Sequence, residues 1–304
     1  MITVFFEETD NKENMQLLAK SHNSFPYQRT FGTDLTRSIP QIPLQNSSDP
    51  QQLDYYSDDI YEYLLSIENY HVAKPGYMKN QADITEKMRS VLLDWLVEVH
   101  FRFKLAPETL FLTVNLIDRY LEKIIICRSR LQLVGVSAMF IASKYEDIYP
   151  PEIRDFVYIT DKAYTKGEIL QTEKSILKVL DYNVTIPSSY RFIQRFSKIS
   201  GLSQEQIALA RYLQELALID YKMLKYSNSL IAAGAIYLMF KLKSIKPEWT
   251  GDLRKASGYT EDQIKLCAKD MCVLFQNAHK SSLKGVRDKF SSDQFFCVAN
   301  TPIL

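Results

Sequence analysis

LQLVGVSAMFIASKYED, residues 131 to 147, reads as one helix without a continuous polar face. Leu131, Leu133, Val134, Val136, Met139, Phe140 and Ile141 are apolar, and Gly135, Ser137, Ala138, Ala142 and Ser143 between them are small enough for neighbouring helices to approach closely. A helix that is apolar all round is a buried one. Its last turn differs, because Lys144, Tyr145, Glu146 and Asp147 bring the first charges since Arg130, and Pro150 and Pro151 then stop the helix. The pattern predicts a buried rod that delivers a cluster of charges to one surface.

Working outward, Thr85 is a cap for a helix running to about Lys104. In it Met88, Val91, Leu92, Trp95 and Val99 form one apolar stripe, while Leu93, Leu96, Val97 and His100 form a second. Two stripes need two things to cover them, one the core and the other either more core or a partner peptide. Pro107 to Leu121 opens with proline and glutamate in its first turn, the signature of a helix start. Glu152 to Ile159 and Thr165 to Leu180 complete a set of five helices.

DYNVTIP, residues 181 to 187, reads as a linker, and five helical segments then recur at 188–198, 204–220, 227–242, 252–256 and 260–277. The repeat is visible in residues as well as in order. LVGVSAMFIA from Leu133 matches LIAAGAIYLM from Leu230, 97 positions on, and Tyr164-Thr165 with Ile169 matches Tyr259-Thr260 with Ile264, 95 positions on. Such near-equal spacing is what a duplicated unit requires. No strand pattern competes, so the expected fold is all-α, two tandem five-helix bundles preceded by a short amphipathic helix over 53–68 that carries Tyr56, Ile60, Tyr63 and Leu64 near one face.

Composition narrows the function. Of 304 residues 46% are hydrophobic and 24% charged, an ordinary globular balance, and 37 basic against 36 acidic residues leave a net charge of +1, without the basic excess of a dedicated nucleic-acid binder. Cys127, Cys267, Cys272 and Cys297 form no CxxC pair, and His22, His71, His100 and His279 no ligand set. The longest apolar run, Leu230 to Phe240, is short for a membrane span, and the acidic start MITVFFEETD lacks the features of a signal peptide, so an intracellular, soluble protein is expected. Neither GxGxxG nor GxxxxGK[ST] is present to cradle a nucleotide. Asp58, Asp59 and Glu62 have the spacing of a magnesium-binding carboxylate set, but first-turn acids are better explained by the helix dipole. Residues 1–52, rich in Asn, Gln, Ser, Thr and Pro, read as a flexible regulatory tail.

MRSVLLDWLVEV from Met88, LQLVGVSAMFIASKYED, YPPEIRDFVYITDKAYTKGEIL from Tyr149 and KPGYM from Lys74 together resemble the cyclin family, in its mitotic A and B types and more the B type. The resemblance runs from about Asp54 to Val286. It implies an N-terminal cyclin box over 84–182, a C-terminal box over 187–280 and an extension over 281–304. It further implies a non-catalytic regulatory subunit, without cofactor or metal, that binds and activates a cyclin-dependent Ser/Thr kinase at G2/M in nucleus and cytoplasm. In the family a lysine ending the third box helix and a glutamate in the fifth grip the kinase's C-helix; here these are Lys144 and Glu173. Tyr145, Glu146, Asp147, Ile148, Leu177, Tyr182 and Val184 match contact positions around them, as do Tyr56, Ile60 and Tyr63.

The same resemblance assigns Met88, Val91, Leu92, Trp95, Glu98, Arg128, Leu131 and Gln132 to a patch that recruits RxL-type substrates or inhibitors, and gives Arg89 a structural role, paired with Asp118. Lys12-Glu13-Asn14 resembles a KEN degron read by the anaphase-promoting ubiquitin ligase, whereas the RxxL strings at Arg89, Arg102 and Arg128 fall in helices or packed joints. The alternative from another class is a cyclin-fold nucleic-acid-binding transcription factor, which needs a basic surface that this chain does not advertise.

Overall fold

A computed structural model describes residues 56–246 and 249–302. The expected tail, with Lys12, Glu13 and Asn14, lies outside these residues. Twelve α-helices and no strand occur among the described residues. They are α1 (Ser57–Ile67), then α2 (Glu86–Arg102), α3 (Pro107–Lys123), α4 (Leu131–Glu146), α5 (Ile153–Ile159) and α6 (Lys166–Val179) as the first repeat. The second repeat comprises α7 (Ser189–Ile199), α8 (Gln204–Ile219), α9 (Asn228–Leu242), α10 (Gly251–Ser257) and α11 (Glu261–Asn277), and α12 (Gly285–Phe290) follows.

The ends obey local chemistry. Thr85 Oγ1 accepts from the Met88 N–H, Pro107 occupies the first turn of α3, and Thr165 with Glu168, Ser203 with Gln206 and Thr260 with Gln263 form reciprocal capping boxes. The central helix α4 stops at Glu146, earlier than its prolines require, because Asp147 turns extended and its carboxylate caps α3: Oδ1 accepts from the Ala106 N–H at 2.8 Å and Oδ2 from Thr109 Oγ1 at 2.6 Å.

Every residue of α4 from Leu133 to Ser143 is buried, packed by α3, α6 and α2. A Cβ on Gly135 would lie 2.9 Å from a Leu92 methyl, so the small residue sets the approach of α2. The second repeat reuses the plan: Ser137 donates to Ile169 O of α6 at 3.4 Å, and at the matching position a Cβ on Gly234 in α9 would lie 3.1 Å from Cys267 Sγ of α11.

Buried polar groups join the two repeats. Arg89 of α2, 1% exposed, pairs with Asp118 of α3 at 2.6 and 2.7 Å and donates from Nη1 to Ile219 O, the last residue of α8, at 3.0 Å. Tyr77 donates to the same Asp118 at 2.7 Å and stacks edge-on against Tyr221. The expected Arg89–Asp118 pairing is thus present, and it spans a joint between repeats.

The first helix departs from the sequence pattern. Tyr61, not the Tyr56, Ile60 and Tyr63 face, enters the core, against Phe192 and Phe196 of α7. Glu68, just past α1, accepts from the N–H and hydroxyl of Ser229 and caps α9. The chain beyond residue 280 is also more than a surface extension: α12 lies against α2 and α8, and Lys289 forms a buried pair with Glu215 at 2.7 Å.

Candidate functional site: the exposed end of the central helix

The chain leaves the core within one residue. Ser143 is fully buried and Lys144 is exposed. Lys144 Nζ pairs with Glu173 Oε1 of α6 and sits 3.9 Å from the centroid of the Phe140 ring. The lysine side chain is 41% exposed and the glutamate 13%. The pair therefore holds its two charges in place while presenting further ammonium N–H groups and a second carboxylate oxygen at the surface. Such a couple suits a backbone, with carbonyls for the ammonium and N–H groups for the carboxylate.

Exposed apolar side chains lie on the segments that follow the two helices carrying the pair. Ile148 and Tyr149 are 87% and 92% exposed, an arrangement that costs hydration free energy unless something covers them. Tyr145 is exposed and its hydroxyl bonds Thr185 Oγ1. Tyr182 stands out because Asp181 and Tyr182 both adopt left-handed backbone, with φ of 51° and 57°, turning the chain sharply after α6. Glu146 is half-buried, and that burial holds its carboxyl above the usual carboxylate range.

Three of the expected contact residues are placed less openly. Val184 is buried and Leu177 is half-buried against the core, so neither presents a full side chain outward. Asp147 spends both oxygens on α3, so its part in the site is to fix the loop that carries Ile148 and Tyr149. Tyr149 was not among the residues expected here. Its signal is the Tyr-Pro-Pro string, since a residue before proline is held extended and so leaves the helix. On α1, Tyr56, Ile60 and Tyr63 are all exposed on the side away from Tyr61.

The two stripes of α2 divide as burial dictates. Leu93, Leu96, Val97 and His100 face the core. In the other stripe Val99 and Leu92 are buried too, leaving Val91, 52% exposed, and the half-buried Met88 and Trp95 as its open part. Leu131 is buried beneath, Gln132 is half-buried, and Glu98 is exposed. Arg128 is engaged at the edge by Asp83, at 2.6 Å. The patch is thus a shallow apolar strip on a buried leucine floor, with an acid at Glu98.

The magnesium-type carboxylate set is not assembled: Asp58 pairs with Arg195, and among the described residues no three His, Cys, Asp or Glu side chains are grouped to hold a metal ion. No helix among them is long and apolar enough to cross a membrane.

Comparison with known proteins bears on this geometry. The family profile described as Cyclin, N-terminal domain matches residues 59–185, and that described as Cyclin, C-terminal domain matches 187–304. The chain is 42% identical over 269 residues to Cyclin-B2-1 of Oryza sativa subsp. japonica, covering 88% of this chain and 64% of that protein. It is 41% identical over 274 residues to the G2/mitotic-specific cyclin-B of Marthasterias glacialis (90% and 70%) and 35% identical over 302 residues to that of Dictyostelium discoideum (99% and 67%). The chain thus spans a little under two thirds of the rice relative's length, 64%. Among solved structures it resembles a viral cyclin from herpesvirus saimiri, with a TM-score of 0.64, 21% identity and coverage of 71% of this chain and 97% of that one. It also resembles a chain of the yeast RNA Pol II CTD kinase CTDK-1 complex, with a TM-score of 0.58, 12% identity and coverage of 72% and 83%. At such identities the structural likeness speaks to the fold alone.

Proposed function

The chain belongs to the cyclin family, and from that membership we propose that it binds and activates a cyclin-dependent Ser/Thr kinase at G2/M, as a regulatory subunit that leaves phosphoryl transfer to its partner. The observation that carries this reading is the Lys144–Glu173 couple at the exposed end of a buried helix, with Ile148, Tyr149 and Tyr182 exposed on the segments that follow α4 and α6. Activation is then a population shift. A kinase whose C-helix samples several placements is held in the active one by a surface that binds that placement better. That placement completes the kinase's own Lys–Glu pair and magnesium loop.

Around this centre the reading extends to the α2 strip as a docking patch for RxL-type substrates or inhibitors, with the peptide leucine on Val91, Met88 and Trp95 and its basic residue toward Glu98. It also extends to Lys12-Glu13-Asn14 as a degron for the anaphase-promoting ubiquitin ligase, and to residence in nucleus and cytoplasm. A nucleic-acid-binding role is not favoured, given a net charge of +1 and B-type cyclins among the relatives.

The test is activation of a purified mitotic cyclin-dependent kinase on a Ser-Pro peptide, comparing the wild type with Lys144→Ala/Glu173→Ala. The reading expects strong activation by the wild type and its loss in a double mutant whose circular dichroism and thermal unfolding are unchanged. Failure of the wild type to bind or activate any such kinase overturns it.

A further inference from the structure

Past α12 comes a short 3-10 turn, Val298–Asn300, whose Val298 and Ala299 are buried where it packs on α8 and α12. Thr301 and Pro302 follow it. Thr301 is half-buried and Pro302 exposed, and the threonine hydroxyl donates to Val298 O at 2.8 Å. At φ −55° and ψ 131° the Thr301 backbone is extended, as proline holds the residue before it.

Thr301-Pro302 is the only Ser/Thr-Pro pair in the sequence. Such a pair is what a proline-directed kinase selects, since proline offers no N–H and fixes the acceptor residue extended. A kinase of that class therefore has a single acceptor in this chain, and its backbone already has the required conformation.

A receiver for the phosphate stands beside it. Arg287 of α12 is half-buried, and its Nη2 donates to the side-chain oxygen of Asn300, the residue before Thr301, at 3.3 Å. Among the described residues that is its one side-chain hydrogen bond, and it pairs with no carboxylate, not even that of its exposed neighbour Asp288. A guanidinium has five N–H donors in a planar fork, so most of this one's capacity is left for an oxyanion.

We propose that Thr301 is a phosphate-acceptor site for a proline-directed Ser/Thr kinase, and that Arg287 holds the phosphate once it is in place. In the transfer Thr301 Oγ1 bonds to the γ-phosphorus of ATP, the bond from that phosphorus to the bridging oxygen breaks, ADP leaves, and the hydroxyl proton passes to the kinase's catalytic aspartate. The Thr301–Val298 hydrogen bond is lost with that proton, and charge-assisted bonds to Arg287 replace it. The site does not depend on the kinase reading, because any kinase of this specificity can supply the phosphate.

The test incubates the folded full chain with magnesium-ATP and either a mitotic cyclin-dependent kinase or an active mitogen-activated kinase, each with a control Ser-Pro peptide in the same tube. Tandem mass spectrometry of the chain and of Thr301→Val should locate one phosphate on Thr301 and none in the variant, whose fold circular dichroism checks. Phosphorus NMR then titrates the phosphorylated chain: its second ionisation should lie roughly one unit lower in the wild type than in Arg287→Gln, a difference that a merely structural arginine would not produce. Labelling of Thr301 by the mitogen-activated kinase, with no activation of the cyclin-dependent one, supports this proposal while the kinase reading fails. Labelling of the control peptide but not of folded Thr301, labelling only after heat unfolding, or equal ionisation in both phosphorylated chains overturns it.

Discussion

Asp94 in α2 accepts hydrogen bonds from the N–H groups of Lys284, at 3.0 Å, and of Gly285, at 2.9 Å, although Gly285 lies 191 positions further along the chain. The helix that carries the open strip of Val91 and Trp95 on one side is therefore bolted on another to the start of α12. A Cβ on Gly285 would come within 2.6 Å of Asp94 O, a backbone atom, so the fit admits only hydrogen there.

Gly285→Ala is accordingly expected to destabilise the chain by about 1–3 kcal/mol, the usual cost of forcing atoms into a packed joint. Equilibrium urea unfolding measures it. The variant should also show faster amide exchange around α12, which a uniform loss of stability would not single out.

Replacing Arg89 by Met should cost about 3–5 kcal/mol, because Asp118 would be left buried without its counter-charge. The double variant Arg89→Met/Asp118→Leu should recover part of that loss. Thermal unfolding of the three chains checks the sign of the difference, and equal stability of the single and double variants would refute the account.

His100 offers a pH test. Its Nε2 contacts Ala106 O at 2.8 Å, and burial first, then the Lys289 charge, holds the imidazole at about 3. A histidine with a lowered folded pKa contributes stability that is complete above its unfolded value near 6.5 and is lost as pH falls towards about 3. Within that window its part of the slope approaches about 1.4 kcal/mol per pH unit. Glu68 and Asp94, both raised by burial, act in the opposite sense: their contribution is present below the unfolded carboxylate pKa and is lost as pH rises through the folded one. The comparison of wild type with His100→Gln isolates the histidine, and the variant should show the shallower fall in stability between pH 6 and 4.

On the α2 strip, Val91→Glu or Trp95→Ala should weaken binding of an RxL peptide on the order of tenfold or more, since the apolar anchor loses its seat. Kinase activation on a peptide lacking that motif should stay at the wild-type level. Fluorescence polarisation with a labelled peptide reads the first, and a kinase assay the second.

Much of this was legible in the residues. The all-round apolar α4, the proline and threonine helix starts and the 97- and 95-residue echoes predict ten helices in two repeats, and the structure contains them. Helix periodicity and capping depend on neighbours within four residues, so they are written locally. Lys144 and Glu173 were legible through motif resemblance, and their pairing was left for the fold to reveal.

What the chain order alone left open was which apolar face meets the core. On α1 the pattern offers Tyr56, Ile60 and Tyr63, but α7 arrives on the other side and buries Tyr61. On α2 both stripes look alike, and only the approach of α4 at Gly135 sinks Leu92 while Val91 stays out. Asp147, read as a contact residue, is drawn to the start of α3, and Asp94 meets a helix from the far end of the chain. Sequence determined where helices begin and end and which residues are apolar, because those are local properties. Tertiary structure decided which of them are covered, since burial belongs to pairs of surfaces brought together from distant parts of the chain.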